Sequence, residues 1–262
     1  MPEGHVIHRL ARTLTDAFRG HRVHVTSPQG RFAAEARLLD GSSLVAARAY
    51  GKHLFIEFSG ERFVHVHLGL IGKFKVAPLA PPQGVVRMRI SDSLVAADLH
   101  GPQWCRLVGG ADVEGAVDKL GADPLVTGTM APNLARVRRS IGAALMDQRL
   151  YAGVGNIYRC ELLFRQGISP FEAANSLTSA EQAAIWADLV ELMRYGEEHG
   201  RIDTVRAEHT PEAQGRPPRI DAHGGEVYVY RRAGDPCLVC GTPVAMRVDG
   251  GRKLYWCPRC QG

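Results

Sequence analysis

No apolar run in this chain approaches the roughly 20 residues that a membrane-spanning helix requires. The opening Met1-Pro2-Glu3-Gly4-His5 lacks the basic lead and apolar stretch of a secretion signal, so the cytoplasm is the expected compartment. No segment repeats, which removes solenoids and propellers from consideration. Cysteine is scarce outside one short region: of six, four fall in two close pairs near the C-terminus, and only Cys105 and Cys160 stand apart. In a reducing compartment such pairs indicate a metal more often than disulfides.

The 262 residues suffice for two ordinary domains, each with its own core. A hydrophobic fraction of 45% and a charged fraction of 23% are globular values. The formal charge of +5 fits a polyanionic partner, though many unrelated proteins share it.

A helix is expected over 3–18, where Val6, Ile7, Leu10, Ala11, Leu14 and Phe18 recur on one face and Gly20 stops the run. Residues 21–108 break into short apolar runs separated by Gly, Pro, Ser and Asp, a β-rich texture. Within them 53–58 and 63–68 flank Ser59-Gly60-Glu61 like hairpin arms, with Val64, Val66 and Leu68 on one face and His65 and His67 on the other. The stretch 109–131 is rich in Gly, Ala, Asp and Pro and reads as a domain boundary. Helices are expected over 134–150 and 156–166. A third follows the capping box Thr178-Ser179-Ala180-Glu181 and runs to about His199. Residues 203–226 carry Pro211, Gly215, Pro217, Pro218, Gly224 and Gly225 and read as a mobile loop, and strand character resumes from Val227.

Cys237 and Cys240, then sixteen residues, then Cys257 and Cys260 can close a tetrahedral zinc site that leaves no open position for catalysis. Two disulfides or free thiols are the alternative. Met246-Arg247-Val248 and Lys253–Trp256 look like hairpin arms joined at Asp249-Gly250-Gly251. From Tyr228 onward Arg231, Arg232, Arg247, Arg252, Lys253 and Arg259 face only Asp235 and Asp249, an excess suited to phosphate, or else a solvated charged face. Gly153-Val154-Gly155-Asn156 places backbone N–H groups and an amide at a helix start, an anion site or a plain structural corner.

Four blocks then give the chain a family resemblance: Met1-Pro2-Glu3-Gly4; Gly51-Lys52-His53-Leu54; Met146-Asp147-Gln148 through Ala152-Gly153-Val154-Gly155-Asn156-Ile157-Tyr158; and Trp256-Cys257-Pro258-Arg259-Cys260-Gln261. In this order they resemble the formamidopyrimidine-DNA glycosylase and endonuclease VIII family over essentially the whole chain. The resemblance implies an α+β fold: an N-terminal helix and β-sandwich domain (1–114), a linker (115–131), a helical helix-two-turn-helix domain with a lid loop (132–226), and a C-terminal zinc-finger hairpin (227–262). It implies a monomer that acts on damaged DNA in base excision repair and carries one structural zinc ion.

The resemblance also assigns roles. Pro2, exposed once Met1 is removed, is the amine nucleophile that forms a Schiff base, releases the base and cleaves the strand by β,δ-elimination. A terminal amine titrating near 7.7–8.0 supplies a useful neutral fraction. Glu3 is the acid, Lys52 contacts phosphate and assists elimination, and Arg252 joins the catalytic set. His67, Arg149, Asn156 and Arg252 grip phosphates, and Leu70 fills the gap left by the everted nucleotide.

The chain also departs from the family. Val6 stands where many members have a second acidic residue, and the arginine and phenylalanine wedge of purine-specific members is not recognisable near Gln103-Trp104. Oxidised pyrimidines are therefore the expected lesions, with 8-oxoguanine and formamidopyrimidine removal as the alternative. A non-catalytic zinc-finger module that only binds DNA is the alternative of a different class.

Overall fold

A computed structural model describes residues 2–221 and 225–262. The chain folds as two compact units that meet in sequence between Leu120 and Gly121.

In the first unit helix α1 spans Gly4–Phe18 and buries Ile7, Ala11, Leu14 and Phe18, the apolar stripe visible in the sequence. Thr15 ties it to the sheet by donating to Ala11 O (2.8 Å) and accepting from Ala47 N–H (2.9 Å). Eight strands follow: β1 (His24–Thr26), β2 (Leu44–Tyr50), β3 (His53–Phe58), β4 (Arg62–His67), β5 (Lys73–Pro78), β6 (Val86–Ser91), β7 (Val95–His100) and β8 (Trp104–Val108). They form two four-stranded antiparallel sheets ordered β2-β3-β4-β8 and β1-β6-β7-β5. Alternation puts Leu54, Ile56, Val64 and Val66 of one sheet and Met88, Ile90, Ala97 and Leu99 of the other into a single core with α1. The 53–58 and 62–67 strands pair as the expected hairpin, Ile56 opposite Val64.

In this unit two helices lie where none was expected. The β-rich stretch contains α2 (Ala33–Leu39), two turns that bury only Ala36 and Leu39, too short to show a period. The presumed linker begins as α3 (Gly110–Val117), with the Asp112 carboxylate accepting from Gly109 N–H at 3.1 Å.

The second unit holds α4 (Ile141–Ala144), α5 (Asn156–Arg165), α6 (Ser179–His199), α7 (Pro211–Gln214) and the hairpin strands β9 (Ala245–Asp249) and β10 (Arg252–Trp256). The Thr178 capping box forms as expected: Thr178 Oγ1 accepts from Glu181 N–H at 3.2 Å and the Glu181 carboxylate from Thr178 N–H at 2.8 Å. The helix expected over 134–150 shrinks to four residues. Leu134, Ile141, Ala144 and Leu145 are all buried, but successive turns deliver them. Ser140 caps α4, and the Asp147 carboxylate takes the N–H of Arg149 (2.9 Å), bending the chain away from a helix.

The strand character from Val227 is also corrected. Tyr228, Val229 and Tyr230 spend their N–H groups on the Glu161 carboxylate, at 2.6, 2.9 and 2.7 Å, and join no sheet. Thr204 Oγ1 donates a fourth hydrogen bond to it (2.6 Å). Both flanks of the 203–226 segment are therefore tied to one fully buried side chain. The segment itself contains α7, and Arg216 and Arg219 bind Glu226 and Asp221; its residues 222–224 lie outside the described residues. Glu161→Ala strands four buried donors and should lower stability by at least about 3 kcal/mol. Urea unfolding checks this, and a loss under about 1 kcal/mol would refute the anchoring role.

Candidate functional site

Glu3 occupies the N-cap of α1 and is fully buried. A carboxylate placed there only to favour the helix dipole would be solvated, so burial marks Glu3 as more than a helix-start acid. Pro2, partly exposed, immediately precedes it. Met1, whose removal would free the Pro2 amine, lies outside the described residues.

Lys52 sits in the two-residue turn between β2 and β3. Its ammonium and His67 are neighbours: burial first, then the charge of Lys52, pushes the His67 imidazole below its ordinary value, against a raising hydrogen bond with Gln103. His67 ends β4, and its Nδ1 accepts the N–H of Gly69 at 3.2 Å. The neutral ring therefore carries its proton on Nε2.

Beyond His67 the chain closes a tight loop with Gly72 N–H on Leu68 O (3.1 Å). A Cβ on Gly72 would lie 2.3 Å from that oxygen, so no larger residue fits. Held this way, the loop pushes Leu70 and Ile71 into solvent at 63% and 80% exposure. Two adjacent aliphatic side chains so exposed are costly unless they meet another surface.

The outward face of the same sheet carries a patch of rings. His53 Nδ1 and His65 Nε2 lie 2.8 Å apart, and His65 stacks on Phe55 at 4.4 Å. Burial, followed by neighbouring charge on His67, lowers His53 to about 4. Burial, followed by His53, His67 and Arg106, lowers His65 to about 4. The sequence reading placed His65 and His67 on this face but left the electrostatic consequence unseen, because the pairing of His53 with His65 is diagonal across strands.

In the second unit Arg149 is 78% exposed and anchored by one edge: its Nε and Nη2 lie 3.3 and 3.2 Å from the Asp147 carboxylate. Burial alone would raise the Asp147 carboxyl, but hydrogen bonds from Arg149 and Arg139 outweigh it and hold the group at about 2. Asp147 is thus a permanent anion that aims Arg149.

Asn156 opens α5 as predicted, yet its amide turns inward. Nδ2 donates to Lys253 O (2.8 Å) and Oδ1 accepts from Arg159 Nη2 (2.5 Å). Arg159, only 2% exposed, also meets Asp249 at 3.3 Å. Asn156 and Arg159 therefore grip both ends of the turn between β9 and β10. Arg252 stands opposite Asp249 across Gly250-Gly251, whose φ values of 55° and 74° fit the type I′ turn of a two-residue hairpin. Sequence reasoning missed Arg159 and Asp249. The i, i+3 spacing of two polar residues on an otherwise buried helix was the available signal.

The four cysteines converge. Cys237 and Cys260 sulfurs are 3.9 Å apart, those of Cys240 and Cys257 3.5 Å, and all four lie within 4.8 Å of one another. Tetrahedral zinc with Zn–S bonds of about 2.3 Å sets sulfurs about 3.8 Å apart, whereas a disulfide needs about 2.0 Å. The donor set fits one structural zinc ion, and the disulfide alternative falls.

Comparison with known proteins agrees with this layout. Residues 1–101 match the formamidopyrimidine-DNA glycosylase N-terminal domain, 120–207 its H2TH domain, and 234–262 a zinc finger found in FPG and IleRS. The chain is 45% identical over 271 residues to endonuclease 8 1 of Mycobacterium tuberculosis, covering all of both chains. It is 33% identical over 285 residues to a formamidopyrimidine-DNA glycosylase of Gluconobacter oxydans, again over all of both. Among solved structures, MutM in complex with carbocyclic 8-oxo-G containing DNA superposes with TM-score 0.80 at 22% identity. Lactococcus lactis Fpg with abasic-site DNA gives 0.81 at 20%; each covers 99% of both chains. Among the described residues no helix is long and apolar enough to cross a membrane.

Two measurements probe this geometry. Unfolded histidines titrate near 6.5 but His53 and His65 titrate near 4 when folded. Between those values the unfolded chain holds more protons, so the stability these rings contribute is complete above pH 6.5 and drains as pH falls toward 4. The thermal midpoint should fall across that window and fall less in His65→Gln; a wild-type pH dependence in the variant would refute the claim. Metal removal by a chelator should abolish the amide protection of β9 and β10 while leaving the β-sandwich intact. Unchanged protection in verified metal-free protein would show that the hairpin folds without metal.

Proposed function

The chain belongs to the formamidopyrimidine-DNA glycosylase and endonuclease VIII family, and on that premise we propose that it excises oxidised bases from DNA and then opens the strand. The observation that carries the proposal is the fully buried Glu3 next to Pro2, a carboxyl with no solvent-facing role beside the nitrogen that removal of Met1 would free as an amine.

In this reading the Pro2 amine attacks the sugar C1′ and the damaged base departs with the C1′–N bond electrons; the proline nitrogen gives up its proton, Glu3 protonates the ring oxygen, and the C1′–O4′ bond breaks as the nitrogen lone pair forms the C1′=N bond. A secondary amine yields an iminium with no N–H to lose, so its positive charge persists. Loss of a C2′ proton sends electrons into that iminium and expels the 3′ phosphate, and a second elimination expels the 5′ phosphate. Lys52 and Arg252 neutralise the phosphates that leave. His67 and Arg149 hold adjoining phosphates, and Asn156 serves the same grip by fixing the hairpin backbone at Lys253. Leu70 enters the stack where the nucleotide has swung out, and the 203–226 segment closes over the everted base.

Oxidised pyrimidines are the proposed lesions, supported by the lack of the arginine and phenylalanine wedge near Gln103-Trp104. We read the enzyme as a cytoplasmic monomer that carries its own DNA grip.

Borohydride with abasic-site DNA should trap a covalent protein–DNA adduct. A blocked N-terminus should abolish it, and Pro2→Gly should reduce it while a terminal amine remains. Glu3→Gln should slow base excision by about 100-fold or more. Base excision by protein whose first residue is still methionine would end the amine mechanism, and incision of single-lesion duplexes decides between pyrimidine and purine substrates.

A further inference from the structure

On the outward face of the β2-β3-β4-β8 sheet, His53, His67 and Trp104 stand directly opposite one another across three strands. The centroid of the His67 ring lies 4.5 Å from that of Trp104, with planes 29° apart, a stacked pair. His53 abuts the other edge of His67, with centroids 5.4 Å apart and planes crossing at 67°. The Arg106 guanidinium lies 5.6 Å from the Trp104 ring centre. The indole Nε1 is buried and has no hydrogen-bond partner among the described residues. Trp104 is therefore placed by its ring contacts and not by its polar handle, which runs against the usual behaviour of a buried tryptophan.

His67 has hydrogen bonds along its ring plane. Nδ1 accepts from Gly69 N–H at 3.2 Å, which leaves the proton of the neutral ring on Nε2, and the Gln103 side chain also bonds the ring. Bonds in the plane alone leave the imidazole free to exchange partners by turning about Cβ–Cγ. A flat indole pressed against one face, with His53 at the edge, blocks that turn.

We propose that Trp104 is a positioning residue for His67, fixing the plane and tautomer of the imidazole so that Nε2–H is presented to a DNA phosphate in the complex. The inference rests on the reading of His67 as a phosphate contact, and two measurements separate the one from the other.

The first needs no DNA. Nitrogen-15 shifts of His67 should report a fixed Nε2–H tautomer in the native protein and in Trp104→Phe, and an averaged one in Trp104→Ala. The second is binding, above pH 6.5 and at fixed salt, to a duplex containing a tetrahydrofuran abasic-site analogue. His67→Ala should weaken it about 10-fold or more, the loss of one hydrogen bond to a charged group, with the salt dependence unchanged because a neutral imidazole displaces no counterion. Trp104→Ala should weaken it equally, the double variant no further, and Trp104→Phe should restore the native affinity. Thermal midpoints identify the folded variants, and Trp104→Leu substitutes if Trp104→Ala fails to fold. A fixed tautomer in the folded truncation overturns the proposal, as does native affinity there when His67→Ala has lost it. Native affinity in His67→Ala instead refutes the phosphate contact, and the tautomer then decides the positioning role by itself.

Discussion

The second unit depends on a single buried carboxylate. Glu161 is fully buried in the middle of α5 and satisfied by three consecutive N–H groups and a hydroxyl. A lone charge in such a place would be prohibitively expensive, and four donors make it tolerable. Because three of those donors are the backbone of 228–230, the chain entering the cysteine module is fixed to the helix before any metal binds. Thr204 fixes the opposite flank of the 203–226 segment to the same oxygens. One turn earlier on the same helix, Asn156 and Arg159 take hold of Lys253 O and Asp249. The hairpin is thus attached on both sides of its turn to one rigid rod, and the position of Arg252 follows from the helix instead of from a flexible tail.

The same carboxylate explains much of what the sequence reading could and could not see. Elements whose structure is set by local chemistry were legible: the α1 stripe, the Thr178 capping box, the 53–67 hairpin and the cysteine spacing each encode their own geometry. Val227–Tyr230 was misread because alternating Val and Tyr is good strand chemistry, and only a residue 67 to 69 positions earlier, Glu161, diverts the N–H groups. The 134–150 stretch was misread for a related reason. Turns with i→i+3 bonds bury residues at nearly helical spacing, so the period survives where the helix does not. The residue types and numbers of the candidate site rest on the family resemblance. Arg159, Asp249 and the diagonal His53–His65 contact were not legible, since each acts through a partner far away in sequence.

Unlike Glu161, the histidines of the sandwich face are kept uncharged. His53 and His65 titrate near 4, and each neighbouring positive charge makes protonation harder. An uncharged face beside Lys52 has an electrostatic consequence. The lysine's ammonium, with Arg106 more distant on the sheet, keeps its attraction for phosphate concentrated at one point rather than spread over a broad cationic plate. A broad plate would bind any polyanion in many registers; a few separated donors select one.

That economy extends to how the cations and the proposed wedge, Leu70, are mounted. Lys52 stands on a two-residue turn between paired strands, Leu70 on a loop that only glycine at 72 allows, and Arg252 at the end of a Gly250-Gly251 turn. Arg149, itself 78% exposed, is aimed by a carboxylate held ionised at about 2. Long side chains lose rotamer entropy when they bind, but backbones already fixed have none left to lose. Placing each group on a locked turn confines the entropic cost to its last few bonds. Pro2, the nucleophile proposed once Met1 is removed, would gain such support from the buried Glu3 carboxyl and the helix that follow it directly.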